Sequence, residues 1–392
     1  MKREINLSSL TVVEQLFCLT ISAGAAAQVT EVRRLHAVVG DEVLWAFAQR
    51  EGSASIVAGG LEAALGPTGT AERWRTAAQA TRRTLELYLA ELDRVAAALH
   101  REGIALVALK NAGIARALHR DLAGCPMGDV DTLVSPRGFR RAHAIMKSLG
   151  FELGNRSPFE MADIEQAERH GGAEYTGLLA DGSVLWFELQ WRPVAGRWIR
   201  PDQEPPADEL LARAVAIPGT TARLLAPEDN LLQVCLHTAK HSYVRAPGFR
   251  LHTDVDRIVR HCPIEWNEFC VRVEAIGVRT AVFLSLHIPS ILLSTPVPPW
   301  VLARLDFSPR KHRFLLTWLL RVGLFGPKER KWGKLGYIVF NLLLYDRTAG
   351  ILLAIFPDYE WMHRHYQVRN RWTLPWGYFQ RTRDLLLKRA NT

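Results

Sequence analysis

A change in hydrophobic period along the chain constrains its fold most strongly. Between about residues 103 and 192, short apolar runs alternate with helix-like segments, whereas both flanking regions have an almost wholly helical pattern. The apolar run 104–109 predicts a buried strand, residues 110–119 predict a short helix and 130–134 predict a second strand. We therefore expect an α/β (α+β) fold, in which a small mixed sheet lies between large helical N-terminal and C-terminal regions.

Helix-capping and turn residues along the chain predict where the remaining elements begin and end. Ser135 as N-cap and Pro136 at the first helical position predict the start of a helix, and Asp181-Gly182 predicts a hairpin turn. The elements predicted on this basis are short helices over 8–65, a long amphipathic helix at 71–101, a helix at 135–149, strands at 151–153, 173–179 and 184–191, and helices almost throughout after 206. We expect a helical lead over 1–70, a core over 71–200 and a C-terminal helical domain over 201–392.

Composition excludes several classes of protein. The chain has 392 residues, 48% of them hydrophobic, so it is long and apolar enough for a sizeable core and is not a disordered chain. Its five cysteines are sparse and lack zinc-binding spacing, which favours reduced thiols and a cytoplasmic location. The longest apolar stretch, 335–356, contains Asn341, Asp346 and Arg347. Because a spanning helix needs roughly 20 nearly uninterrupted apolar residues, we expect no transmembrane segment.

Positive charge is concentrated at one end of the chain. Residues 301–392 contain 17 of the 49 Lys and Arg residues but only 6 of the 40 Asp and Glu residues, a local balance of +11 against +9 for the whole chain. Three interpretations are open: a solvated basic face, a surface for an anionic ligand, and a surface for nucleic acid or membrane. The last is supported by a mixture of arginines and aromatic residues: Arg369, Arg371, Trp372, Trp376, Tyr378 and Arg381.

Three carboxylates form the most informative pattern. Asp129 and Asp131 alternate along a predicted strand and therefore share one of its faces, and Glu188 lies on the polar face of another strand. Carboxylates this close repel unless a cation lies between them, and Mg²⁺ prefers carboxylate and phosphate oxygens. The alternatives are a solvated strand end for the aspartates and, for Glu188, an ion pair with Arg192 or another surface base.

A strand-to-helix turn precedes the aspartates. Lys110, Asn111 and Gly113 follow a buried strand and open a helix. Free backbone N–H groups and the positive end of the helix dipole make such a turn suitable for phosphate, and Lys110 adds a cation. A simple surface lysine at a helix start is the alternative. Together with the carboxylates, the turn favours phosphoryl or nucleotidyl transfer.

A resemblance to a known family rests on these segments. They read Leu-Lys-Asn-Ala-Gly-Ile-Ala over 109–115, Met-Gly-Asp-Val-Asp-Thr-Leu-Val over 127–134 and Leu-Gly-Phe over 149–151. In this order they resemble the uncharacterised bacterial nucleotidyltransferase family of the DNA polymerase β-like nucleotidyltransferase superfamily. The family typically shows Lys-Gly, an Arg shortly before Gly-Asp-Ile-Asp, and a later Asp-Leu-His-Trp. The chain departs from this pattern at four positions: Asn111, Cys125, Glu188 and Gln190.

The resemblance implies a polymerase-β-like sheet and a Mg²⁺-dependent enzyme that moves an NMP from an NTP, ATP by preference, to an acceptor hydroxyl. The acceptor would be a protein or peptide, a small molecule or RNA, with nucleic acid the less favoured. Two Mg²⁺ ions, or Mn²⁺ in their place, would bind Asp129, Asp131 and Glu188, which would also be the catalytic residues. The expected nucleotide-binding residues are Lys110, Asn111, Gly113 and Gly128, and the expected substrate contacts are Gln190, His237, His241 and Asp254. The alternatives are a catalytically degraded, partner-binding member of the family and a phosphate-linked or glycosyl transferase on the same scaffold.

Overall fold

The N-terminal part of the chain is helical, as predicted. The computed structural model describes residues 9–118, 121–154, 163–194, 199–326, 333–366 and 368–387. Its first helices are α1 (Val12–Ile21), α2 (Val29–Val39), α3 (Asp41–Arg50), α4 (Ala54–Leu65) and α5 (Glu72–Arg101). The side chains of Thr11 and Glu14 form a capping box that fixes the start of α1. The long helix α5 confirms the prediction for residues 71–101.

The described strands form one mixed sheet. They are β1 (Val107–Ala108), β2 (Val130–Leu133), β3 (Glu152–Leu153), β4 (Gly172–Leu178), β5 (Val184–Gln190), β6 (Val215–Ala216) and β7 (Arg223–Leu224). Their order across the sheet is β3-β4-β5-β2-β1-β7-β6. The pairs β2–β5 and β1–β7 are parallel and the others are antiparallel. The α+β class and the mixed sheet are therefore confirmed.

Helices cover the sheet and form the C-terminal half. Around the sheet lie α6 (Lys110–Ala117), α7 (Phe139–Ser148), α8 (Ile164–His170) and α9 (Ala207–Arg213). The following helices are α10 (Pro227–Lys240), α11 (Leu251–His261), α12 (Trp266–Ala275), α13 (Arg279–Leu292), α14 (Pro299–Leu305), α15 (Pro309–Val322), α16 (Lys334–Leu343), α17 (Thr348–Ile355), α18 (Tyr359–Tyr366) and α19 (Leu374–Leu387). Helices α10 and α11 both pack against α6, which places the C-terminal half beside the turn that Lys110 opens.

Several predicted elements differ in extent. The strand predicted over 104–109 is reduced to β1, and β6 and β7 lie in a region predicted to be almost wholly helical. The reason is that strands of two residues carry no hydrophobic period to recognise. The helix predicted from Ser135 starts with a single 3₁₀ turn before α7, and Ser135 caps it by accepting a hydrogen bond from the Arg137 N–H. His119, the predicted end of α6, lies outside the described residues.

The predicted hairpin turn between β4 and β5 is confirmed. Gly182 has a φ of 83°, in the left-handed region that glycine adopts without strain. The side chain of Asp181 accepts a hydrogen bond from the Ser183 N–H at 3.0 Å. This turn aligns β4 and β5 over their whole length and so determines which side chains lie next to each other on them.

The helical lead packs against the C-terminal half. The Phe17 and Phe249 rings are 6.3 Å apart, and the buried Asp256 carboxylate accepts a hydrogen bond from the Ala23 N–H at 2.8 Å. One apolar cluster runs from Leu16 to Leu344 through all three predicted segments, whose boundaries at 70 and 200 stay a prediction. The apolar stretch 335–356 is divided between α16 and α17. Within the described ranges, every helix is too short or too polar to cross a bilayer.

Candidate active site

Carboxylates from three adjacent strands lie in a row on one face of the sheet. Asp131 in β2 is paired with Glu188 in β5, and Glu188 is in turn opposite Glu174 in β4. Directly opposed residues of neighbouring strands point to the same face. The sequence indicated Asp131 and Glu188 but not Glu174, because only the register of β4 against β5 brings Glu174 into the row.

The Asp131 carboxylate is engaged by two donors. The Lys110 Nζ donates to Asp131 Oδ1 at 2.5 Å, and the Gln190 Nε2 donates to the same oxygen at 3.1 Å. All three side chains are buried. The predicted phosphate-binding lysine, the predicted metal ligand and the predicted substrate contact are thus brought together around one oxygen atom.

Burial and charge set the protonation of this group. Burial raises the pKa of Asp131 to about 6, although the Lys110 cation opposes the shift. Burial also works against ionisation of Glu188, but the Lys110 cation, a hydrogen bond with Asp131 and the Lys240 cation together lower its pKa. Burial disfavours the charged form of Lys110 as well, yet the carboxylates of Asp131, Glu188 and Asp129 raise its pKa overall. Glu188 is therefore the ionised member of the carboxylate pair, and Asp131 is the one that holds a proton more readily.

Asp129 lies one residue before β2 and is half-buried. Its negative charge acts on two cations: it helps to raise the pKa of Lys110, and it opposes the fall that burial causes in the pKa of Arg250. Asp129 is therefore placed where the sheet meets the turn before α11. The neighbouring Gly128 is exposed, and a Cβ built on it would meet no atom within 4 Å.

The three predicted ligands have the donor chemistry for a hard divalent cation, because all are carboxylates. Their present arrangement is not a closed ligand set: within the described ranges, no three His, Cys, Asp or Glu side chains stand together as a group that could hold a metal ion. The Asp131 Oδ1 atom is also already engaged by hydrogen bonds from Lys110 and Gln190. To bind an ion there, Asp131 would exchange the Lys110 ammonium for the ion.

The ion pair between Glu188 and Arg192, which was the alternative to a metal-binding role, is not formed. Arg192 instead pairs with the buried Glu204, which also accepts a hydrogen bond from the Val194 N–H at 2.9 Å. Glu188 therefore keeps its carboxylate on the face that Lys110 and Asp131 share.

The turn before α6 departs from a glycine-lined phosphate cradle. Lys110 itself adopts a positive φ of 49°, an unusual conformation for a residue with a side chain. The Asn111 Nδ2 donates to the Pro126 carbonyl at 3.5 Å and so links α6 to the loop before Asp129. Gly113 is buried in the packing of α6: a Cβ there would come within 2.6 Å of the Ala108 carbonyl oxygen, and its N–H donates to Leu109.

The C-terminal end of α10 places two imidazoles and a lysine near Lys110. The rings of His237 and His241 meet edge to face with centroids 4.9 Å apart. Burial lowers the pKa of both, with help from the Lys110 cation at His237 and from the Lys240 cation at His241, whose pKa falls to about 3. Both imidazoles are therefore neutral at physiological pH, which suits hydrogen bonding to a substrate more than pairing with its charge.

Lys240 is a site residue that the sequence pattern did not single out. Its Nζ donates to the Val194 carbonyl at 3.2 Å. Burial and the Lys110 cation lower its pKa, whereas Glu188 and Asp131 favour its charged form. A signal was available, since Lys240 lies three residues after His237 and hence on the same helix face.

Asp254 and Cys125 are held beside two arginines of the helical half. The buried Asp254 pairs with Arg257 at 3.2 Å; burial raises its pKa to about 6, and Arg257 and Arg250 oppose that shift. Burial likewise raises the pKa of the Cys125 thiol to about 12, with the Arg257 cation opposing. Cys125 occupies the position where the family shows an arginine, and here a guanidinium from α11 acts on that position instead.

Comparison with known proteins agrees with this geometry. A family model described as an uncharacterised nucleotidyltransferase matches residues 39–294, about two thirds of the chain. All the site residues described above lie within the matched segment. No curated protein and no solved structure matches the chain. Because the family model covers more than half of the residues, the chain belongs to this uncharacterised nucleotidyltransferase family.

Proposed function

We propose that this nucleotidyltransferase moves an NMP from an NTP, ATP by preference, to a hydroxyl group of an acceptor, with Mg²⁺ as its cofactor. The observation that carries the proposal is the cluster of Lys110, Asp131 and Glu188, in which a buried cation is 2.5 Å from a carboxylate that faces a second carboxylate across two parallel strands. Such a cluster offers oxygens to a divalent cation and an ammonium to a triphosphate in the same place. A parallel strand pair carrying the acids also supports the relationship to the polymerase β-like superfamily.

Each group at the site has a chemical role in this proposal. Asp129, Asp131 and Glu188 would hold Mg²⁺, which supplies charge neutralisation of the triphosphate and orients it. Lys110 would exchange its bond with Asp131 for one with a phosphate oxygen. Glu188, the ionised carboxylate, would accept the proton of the acceptor hydroxyl. The hydroxyl oxygen would attack the α-phosphorus of the NTP as pyrophosphate leaves.

The helical half would complete the nucleotide site from the opposite side. Lys240 and Arg250 face the carboxylates and would meet the phosphates, compensating for the arginine that Cys125 replaces. The neutral imidazoles of His237 and His241 would donate or accept hydrogen bonds at the base or the acceptor. Asp254, paired with Arg257, would position the arginines rather than contact the nucleotide.

Binding of ATP measured by calorimetry with and without Mg²⁺ tests the metal-dependent part. In the Asp129→Asn/Asp131→Asn variant we expect the Mg²⁺-dependent component of binding to disappear. The matched control is Asp208→Asn/Glu209→Gln, which removes two exposed carboxylates at the start of α9. Mg²⁺-dependent binding that is unchanged in the site variant overturns the proposal.

Mass spectrometry of acceptors after reaction tests the transfer itself. An increment of one NMP supports the proposal, whereas a hexose increment supports a glycosyl transferase. ATP binding without transfer to any protein, RNA or small molecule would instead identify a partner-binding member of the family. One observation favours this partner-binding candidate: the hydrogen bond from Lys110 occupies the Asp131 carboxylate.

Glu174→Gln keeps the shape of the side chain and removes its charge. If Glu174 contacts the acceptor, this variant should transfer the NMP more slowly and bind ATP as the wild type does.

A further inference from the structure

The C-terminal helices expose large apolar side chains to an unusual degree. Trp372 is 93% exposed, Trp376 is 61% exposed and Leu352 is 59% exposed. We call the following set the tail surface: Leu352, Leu353, Phe356, Trp372, Trp376 and Phe379. Side chains of this size and number are rarely left in contact with water on one small part of a molecule unless that part binds something.

The tail surface belongs to one packed unit. The Phe356 and Tyr378 rings are 5.5 Å apart, which joins the end of α17 to α19. On α19 the rings of Trp376 and Phe379 stack at 5.3 Å. Gly377, between them in sequence, is buried against Met362 of α18. Helix α19 thus turns one side inward and holds Trp376 and Phe379 outward in a fixed arrangement.

Arginines surround the tail surface. Arg347, Arg369, Arg371 and Arg383 are all exposed, and the first three form no ion pair with any residue that the structure describes. Arg383 pairs with Asp384 at 3.3 Å, and Asp358 and Glu360 are the other acidic residues of this unit. Three exposed arginines that are close in the chain to the apolar side chains therefore keep a positive charge that no ion pair among the described residues neutralises.

Arg381 and Tyr378, which the sequence analysis grouped with the other arginines and aromatic residues of the tail, do not belong to this surface. The Arg381 guanidinium is buried over the Trp361 ring at 4.4 Å and donates to the Ala354 carbonyl at 2.7 Å. The Tyr378 hydroxyl donates to the Pro357 carbonyl at 2.7 Å. Both hold α17, α18 and α19 together, so the binding chemistry rests on the exposed groups alone.

We propose that the tail surface docks on the face of a bilayer that contains anionic lipids. Tryptophan and phenylalanine favour the boundary between headgroups and acyl chains, and nearby arginines are attracted to anionic headgroups. The aliphatic side chains of Leu352 and Leu353 favour lipid over nucleic acid, because they offer a base no stacking partner. Docking on the surface also agrees with the absence, among the described helices, of one that could span a bilayer.

Vesicle flotation tests this proposal independently of catalysis. We expect the full chain to float with vesicles of equal parts phosphatidylglycerol and phosphatidylcholine, and much less with phosphatidylcholine alone. Trp372→Ala/Trp376→Ala should weaken the affinity about tenfold per tryptophan, and Arg369→Gln/Arg371→Gln about fivefold per arginine. The control is Trp300→Ala, an exposed tryptophan at α14 outside the tail surface, which should bind as the wild type does.

Three results would overturn the proposal. One is equal flotation with both kinds of vesicle, or none with either. Another is tight binding of a single-stranded RNA oligonucleotide that the tryptophan variant loses while vesicles compete poorly. The third is a dimer, measured by light scattering, that the tryptophan variant abolishes. Circular dichroism should show unchanged helix content in both variants, because all four altered side chains are exposed.

Discussion

Lys110→Met tests the charge balance of the site, because it keeps the length of the side chain and removes its cation. Asp131 is then left buried with only the neutral Gln190 amide donating to its Oδ1. Removing one partner of a buried ion pair typically costs about 3–5 kcal/mol. The loss of stability cannot greatly exceed the cost of protonating Asp131, because a protonated Asp131 no longer needs a cation. For a carboxyl group with an ordinary pKa of 3.8, protonation at pH 7 costs about 4.4 kcal/mol. We expect a loss of about 3 kcal/mol in the free energy of unfolding at pH 7.

The pH dependence of this loss identifies its cause. In the wild type the pKa of Asp131 is about 6 when folded and about 3.8 when unfolded, so its stabilising contribution is full at low pH and is lost as the pH rises through 6. Between pH 7 and pH 5 the wild type gains about 1.3 kcal/mol from Asp131. The variant, with Asp131 protonated throughout this range, gains about 2.7 kcal/mol. The cost of Lys110→Met should therefore shrink by about 1.4 kcal/mol on going from pH 7 to pH 5.

Urea unfolding followed by circular dichroism, in EDTA at both pH values, measures these differences. Lys147→Met makes the same change at an exposed position on α7 and should stay within about 0.5 kcal/mol of the wild type. In an Asp131→Asn background, Lys110→Met should cost less than in the wild type, since Glu188 is then the main carboxylate that Lys110 balances. A loss that is equal at pH 5 and pH 7, or equal with and without Asp131, would refute the assignment of Lys110 as the cation that balances Asp131.

Four further substitutions, one of them a control, have separate expected outcomes in the same unfolding assay. Gly113→Ala should cost about 1–3 kcal/mol because its Cβ would press on the Ala108 carbonyl, whereas Gly128→Ala, in open space, should change stability by less than about 0.5 kcal/mol. Asp254→Asn should remove part of the decline in stability between pH 4 and pH 6, because the pKa of Asp254 is raised to about 6 when folded; an unchanged decline contradicts this. Asp346→Ala should cost about 1–2 kcal/mol, since its carboxylate caps α13 by accepting hydrogen bonds from two backbone N–H groups at 2.7 and 2.9 Å; no change at all contradicts it.

Local sequence patterns were sufficient to predict the strands that carry Asp131 and Glu188. The Asp181-Gly182 turn has a steric requirement that one dipeptide satisfies, and the alternation around Asp131 and Glu188 fixes which face each strand turns to the core. The two-residue strands β6 and β7 were missed because they are too short to show a hydrophobic period, and β7 joins the sheet only through β1, which is distant from it in sequence. Glu174 was missed because the sequence pattern predicts the strand but not its register against β5, which brings Glu174 opposite Glu188.

The contribution of the helical half could not be read from the sequence for a different reason. Lys240 and Arg250 come near the carboxylates because α10 and α11 pack against α6, and packing of helices is decided by side-chain fit over long sequence separations. A motif records residues that are close in the chain, so it shows that an arginine is missing at Cys125 but not which residues of other helices lie near that position. In the structure, the Arg257 cation of α11 is close enough to oppose the rise in the pKa of the Cys125 thiol.

The turn at Lys110 and the acid at Asp131 behave as one unit. The Asp131 backbone carbonyl accepts a hydrogen bond from the Leu109 N–H at 2.9 Å, while its carboxylate accepts one from the Lys110 Nζ at 2.5 Å. A residue other than glycine in the left-handed region costs about 1–3 kcal/mol and persists only where its surroundings over-determine it. Here the Leu109 N–H and the Lys110 ammonium both bond to Asp131, so these two contacts, rather than a glycine at 111, fix the position of the lysine relative to the acid. Asn111, which stands where the resemblance predicts a glycine, is therefore compatible with the pairing of Lys110 and Asp131 on which the proposed function rests.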